Sequence, residues 1–228
     1  MSVSHKESSR RAQRDWTASA ILAAAEGLMA HGATPSVSDA AEAAGVSRAT
    51  AYRYFPTQGA LLYGLVRRAI AGSATRSIEA PPNDVSARAS EVARSLAGDV
   101  RDHEHQFRAL LWQMLGNWLA GRRGEVTEEL PRGGRIAPIE AAMEPLRDRF
   151  AEDEVLRLVQ ALSMLIGIEG WVVLRDMWHL DDAAAIETLD AAVRWLVAGF
   201  LSSAEPLAAT PPGRKRKAPA KAAPRGEA

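Results

Sequence analysis

The chain contains no cysteine. That excludes disulfides, thiolate metal sites and cysteine nucleophiles together, and it fits a reducing, cytoplasmic setting. Lysine is almost missing too: Lys6, Lys215, Lys217 and Lys221 are the whole set, so arginine supplies the cations of the folded part. Long apolar runs are absent. The longest, Leu162 to Leu174, is interrupted by Glu169 and falls short of the ~20 residues that a membrane span needs. Arg10, Arg11 and Arg14 ahead of residues 18–25 imitate a secretion signal. That stretch is mostly alanine, however, Glu26 ends it, and Leu28 and Met29 continue a helical stripe, so neither export nor a membrane anchor is expected. No phosphate-cradling glycine loop, HExxH pattern or nucleophile–base motif is present, so neither an enzyme nor a cofactor is expected. His103 and His105 lie two apart, which on a helix turns them to opposite sides, and no metal site is expected from them.

What is present is alanine in abundance with few β-branched runs, which makes helix the default and an all-α fold the expectation. At 228 residues the chain can form one large or two modest domains around an ordinary core. Its formal net charge of zero conceals a division. Residues 1–56 are nearly balanced, residues 57–208 hold sixteen basic against twenty-two acidic residues, and residues 209–228 hold six against one. A polyanion would therefore meet the ends of the chain and not its middle.

Periodicity places helices over 12–31, 37–44, 48–55, 57–78, 85–102, 104–121, 137–150, 153–177 and 182–203, with residues 1–11 and everything from Pro206 expected to be disordered. Local signals sharpen the first four. Gly32 stands where a C-cap is wanted, Ser36 and Asp39 have capping-box spacing, Ser47 and Thr57 can each cap a helix, and Pro56 stops one. Gly45-Val46-Ser47 is then a three-residue turn between two short helices, the unit whose second helix enters a major groove. In that second helix Ala51 and Phe55 lie four apart and should face inward, which turns Arg48, Ala49, Thr50, Tyr52 and Arg53 outward. Arginine takes a guanine edge bidentately, while Thr and Ala methyls suit thymine. The Tyr52 and Tyr54 hydroxyls suit phosphate oxygens, although Tyr52, Tyr54 and Phe55 taken alone also read as plain core.

Residues 34–56, with Ala-Gly-Val-Ser at 44–47 leading into a Thr50-x-Tyr52-x-Tyr54-Phe55 helix, resemble the TetR-family signature over about 12–66. The resemblance implies a homodimer on double-stranded DNA at a near-palindromic operator, with a helical C-terminal domain (67–205) that senses a small-molecule effector. It implies base contacts from Ser38, Arg48, Ala49 and Thr50, and phosphate contacts from Ser47, Tyr52, Arg53 and Tyr54. Two departures stand out: Gln58 replaces a frequent phosphate-binding lysine, and Ala49 replaces a usual glycine.

In the C-terminal part Trp112, Met114, Trp118, Met164, Trp171, Met177 and Trp178 concentrate aromatic and thioether surface, which suits an adaptable apolar effector pocket or, equally, ordinary core. The last two helices look apolar on more than one side and should pair with their copies in a four-helix interface that includes Leu196 and Phe200. Gly167 and Gly170 would permit close approach there, with Glu169 an interface hydrogen-bonder, a pocket acid or simply exposed. The basic tail Arg214-Lys215-Arg216-Lys217, with Lys221 and Arg225, is either a solubilising extension or a nonspecific attractor of phosphate. The reading that joins these observations is a repressor released from DNA by a small apolar effector. A ligand-independent or activating regulator of the same fold is the alternative, followed by a helical interaction scaffold.

Overall fold

The computed structural model describes residues 3–74, 77–125 and 133–205. Among them every regular element is helical: α1 (Val3–Ala30), α2 (Val37–Ala43), α3 (Arg48–Tyr54), α4 (Gln58–Ala69), α5 (Ala71–Ala74), α6 (Val85–Asp102), α7 (Glu104–Arg122), α8 (Ile136–Met143), α9 (Glu152–Leu165), α10 (Ile168–Val172) and α11 (Asp182–Ser203). The basic tail lies outside the described residues, as does part of the long loop after α7.

Two apolar cores organise these helices. Ile21, Ala25 and Met29 form one face of α1 and pack with Val37, Ala40 and Ala41 of α2, Ala51 of α3 and Leu61, Leu62 and Leu65 of α4. The larger core joins α6 and α8 through α11, with Leu162, Ile166 and Trp171 near its centre. Helix α7 belongs to both. Its Ala109 and Leu110 are buried in the first core, Met114 packs against that core, and Phe107 touches the two. The boundary expected at residue 66 is thus a boundary in sequence that α7 crosses in space.

Four expected helices differ in extent, and three of them have a physical reason. The first begins at Val3, not near 12, so residues 3–11 extend α1 where a disordered segment was expected. The helix expected to reach 78 ends at Ala69, and the chain near Glu79 is held instead by the Glu91 carboxylate, which accepts from the Glu79 and Ala80 amides at 2.9 Å each. The helix expected over 137–150 stops at Met143 because Pro145 has no N–H to give Ala141. Arg88 takes over, donating from Nη2 to the Ala141 carbonyl at 2.8 Å and from Nε to that of Ala142 at 3.2 Å.

The expected 153–177 helix is broken. After Leu165 the backbone turns extended at Ile166 and passes through Gly167 at φ 147°, before α10 and a single π turn over Val173–Met177. Within the chain the two glycines serve this break. A Cβ on Gly167 would land on the Arg135 guanidinium, which is bonded to Glu169 at 2.7 and 3.1 Å, and one on Gly170 would land on the Leu165 carbonyl. No single described helix is long and apolar enough to cross a membrane.

Between α6 and α11 lies Asp190, 8% exposed, which accepts from Arg94 at 2.7 Å and Arg194 at 3.0 Å. Burial raises its carboxyl pKa, but the Ser90 hydroxyl and the two arginines outweigh that and hold it below the ordinary carboxylate value.

Candidate nucleic-acid interface

The geometry of α2 and α3 follows from their caps. Ser36 accepts from the Asp39 amide at 3.2 Å while Asp39 accepts from the Ser36 amide at 2.9 Å, a closed capping box that starts α2. The Ser36 hydroxyl also donates to the Asp39 carboxylate at 2.7 Å, and this bond, with that from the Ser36 amide, holds the Asp39 carboxyl below its usual value. The helix ends at Gly45, whose φ of 67° only glycine adopts cheaply. There the Val46 amide reaches back to the Ala41 carbonyl at 3.0 Å and Gly45 to that of Glu42 at 3.1 Å, a Schellman closure. Ser47 then accepts from the Thr50 amide at 3.1 Å and opens α3.

These turns set the recognition face. Ala51 and Phe55 are buried, as their spacing requires, and Phe55 is braced against Gly64, where an added Cβ would stand 3.0 Å from the ring. Arg48, Ala49, Tyr52 and Arg53 are exposed together on the outer side of α3. Thr50 is half-buried with its hydroxyl 2.8 Å from that of Ser47, which leaves its methyl for contact. Ser38 on α2 and Tyr52 on α3 meet through their hydroxyls at 3.4 Å, so both helices contribute to one surface. Tyr54 lies off this exposed face. It is half-buried against the N-terminal core, with the Arg53 guanidinium over its ring at 5.6 Å. Gln58, at the position noted for lysine, donates to the Pro35 carbonyl at 3.3 Å and so ties α4 to the loop before α2.

The seven candidate effector residues do not share an interior. Trp171 alone is fully buried, at 2% exposure, and Met114 packs against the N-terminal core. Trp112, Trp118, Met164, Met177 and Trp178 are all exposed, because helical periodicity marks a residue as apolar without saying what covers it. Nor is Phe200 on a free face: its ring meets that of Phe150 edge-on at 5.0 Å, and Leu196 also leans on the same core. The residue missed on α11 is Trp195, 73% exposed. Its signal was available, since it falls between the buried Val193 and Val197 on neither side of their stripe. Among the described residues no three His, Asp or Glu side chains are grouped to hold a metal ion.

Two capped helices crossing through a glycine turn, with an arginine-bearing outer face on the second, define a helix-turn-helix DNA-binding unit. Residues 21–63 match the family of bacterial regulatory proteins described as the tetR family. That match covers the helix-turn-helix and the helices that flank it, and it supports a DNA-binding transcriptional regulator. No curated protein matches the chain.

Proposed function

We propose that two copies of this protein repress transcription from a palindromic operator and leave it when a small apolar effector binds the C-terminal unit. The observation that carries the DNA-reading half is the outer face of α3. Arg48, Ala49 and Thr50 occupy its first turn, the part of a recognition helix that meets base edges, while Ser47 at its cap and Tyr52 and Arg53 further along offer donors to phosphates. Ser38 joins the base-reading set through its pairing with Tyr52, and Tyr54 belongs with the phosphate contacts.

The homodimer is supported by the faces that α9 and α11 leave uncovered. Leu156 and Met164 are exposed on α9, and α11 presents Trp195 among Ala191, Ala198 and Gly199, small residues that let a second pair of helices approach. Two half-sites about one helical turn apart need two linked recognition helices. For release, α7 supplies the connection: it packs on α4 at the DNA-binding unit, and its Arg108 is clasped by Asp176 of the π turn at 2.7 Å through both terminal nitrogens. An effector can displace DNA only by favouring the arrangement that binds DNA worse.

Selection of bound sequences from random duplexes, repeated with four variants, tests the reading of α3. Arg48→Ala and Thr50→Ala should each relax preference at particular base pairs by about 1–3 kcal/mol. Tyr52→Phe and Arg53→Ala should weaken all sequences alike, by on the order of 1 kcal/mol. One sequence-independent loss shared by all four would refute the assignment.

A further inference from the structure

The segment from Ile166 to Leu180 is the least regular part of the described chain. It holds the break after α9, the left-sided Gly167, the π turn, and His179 at φ 54°, the one non-glycine residue of positive φ among those described. π turns and left-handed non-glycine residues cost stability and gather at functional sites. Two buried donors in this segment have no acceptor. Trp171 is 2% exposed and its Nε1 is unpaired, and the Nε of Arg175 is likewise buried and unpaired. The other nitrogens of Arg175 are engaged: Nη1 donates to the Leu180 carbonyl, and Nη2 pairs with Asp182 at 3.2 Å. The guanidinium carbon stands 5.9 Å from the centroid of the Trp171 ring, so the two unmade bonds belong to one locality.

We infer that this segment binds an uncharged apolar molecule through an oxygen acceptor, a ketone, ester or lactone carbonyl, that receives from Trp171 Nε1 and Arg175 Nε. The inference rests on the effector reading above and names the chemistry of its ligand. A carbonyl oxygen has two lone pairs and can meet both donors. An unmade bond at a buried donor is costly, so a ligand that supplies the acceptor recovers what the free protein forgoes.

Charge decides between a neutral acceptor and an acid. The arginines around the segment already have carboxylates: Arg175 has Asp182, Arg135 has Glu169 at 2.7 Å, and Arg108 has both Asp176 at 2.7 Å and Glu104 at 2.6 Å. With these arginines already paired, a ligand carboxylate would add a negative charge that they do not balance, and its desolvation would be uncompensated. The apolar body of the ligand lies against the core that surrounds Trp171, which includes the partly buried Leu165, Val172 and Leu174. Arg175, with 30% of its side chain in solvent, marks the edge from which the segment is reached, beside the exposed Met177 and Trp178.

The test is calorimetric titration of the full chain with two matched triads: 2-nonanone, nonane and nonanoate, and acetophenone, ethylbenzene and benzoate. In at least one triad the ketone should bind about ten-fold or more tighter than both its hydrocarbon and its acid, as one to two recovered hydrogen bonds require. Trp171→Phe keeps the ring and removes the N–H, and should reduce that preference over the hydrocarbon about five- to ten-fold. Arg175→Met should do the same and serves if the first variant does not fold. A preference for the acid, equal binding of ketone and hydrocarbon, or no ketone binding in either triad overturns the inference, as does a folded Trp171→Phe protein with an unchanged preference. Operator binding is measured separately by fluorescence anisotropy. If the ketone binds as expected and operator affinity does not change, the site stands and release by an effector falls.

Discussion

Replacing Trp195 with glutamate should convert the protein to a folded monomer that no longer holds its operator. Trp195 is 73% exposed in the single chain and projects from the middle of α11. Aromatic side chains offer roughly 150–250 Å² for burial, so an interface that covers this one removes about 110–180 Å² of it from water. At ~25 cal/mol/Å² that contributes about 3–4.5 kcal/mol, and a two-fold axis includes it twice. Ordering and imperfect desolvation reduce such figures. A surviving half, about 3–4 kcal/mol, still weakens self-association by about 100- to 1,000-fold, before the carboxylate introduced on each copy adds its own desolvation cost. Sedimentation velocity at micromolar protein reads the association state, circular dichroism the helicity, and anisotropy the binding to full operator and half-site. Phe200→Glu is the contrasting variant. It places charge against Phe150 inside the protomer, so its primary effect is a lower melting temperature. A Trp195→Glu protein that stays dimeric and binds operator like the parent would refute the placement of the interface on this face.

Gly167→Ala and Gly170→Ala should each destabilise by about 1–3 kcal/mol, the first through strain and a lost Arg135–Glu169 pair, the second through backbone overlap at Leu165. Gly98→Ala in the interior of α6, where an added methyl meets nothing within 4 Å, should instead stabilise by about 0.5–1 kcal/mol, and thermal melts of the three distinguish strain from a general penalty. The pH dependence of unfolding reports Asp190. Its carboxyl is held below the unfolded value of about 3.9, so its contribution is complete above that value and disappears as pH falls through the lower, folded one. Asp190→Asn should therefore cost about 1.5–3 kcal/mol near neutrality, and the gap between variant and parent should close in denaturant melts carried toward pH 3. A gap that widens on acidification would contradict the sign of the shift.

The helix-turn-helix was legible from sequence because each of its boundaries is written in local chemistry. Ser36, Gly45, Ser47 and Thr57 act within three residues of themselves, and the inward pair Ala51 and Phe55 needs only the helical period. The break at Ile166–Gly167 was not legible, since apolar residues continue in phase across it and the reason for it sits thirty residues away in Arg135. The early end at Pro145 carries its own signal, but the Arg88 that takes its orphaned carbonyls does not. The half-burial of Tyr54 was not legible for a similar cause: spacing tells which way a side chain leaves its helix, and its burial depends on a neighbour from another element. The exposed tryptophans of α7 follow the same rule, for a periodic stripe is the same whether solvent or protein faces it.

The double membership of α7 has a consequence for modularity. Reading heads of this kind are tempting units to transplant, because the first seventy residues look complete in sequence. Here such a fragment would leave behind Ala109, Leu110 and Met114, and the side of α4 that they cover would face water. A chimera that grafts this head onto another regulator's body must therefore carry residues 107–114 with it, or repack the recipient's corresponding helix to fit Leu61, Leu62 and Leu65. By the same logic, a substitution at one of these α7 positions that repacks the C-terminal core also shifts the side of α4 against which the N-terminal helices are set.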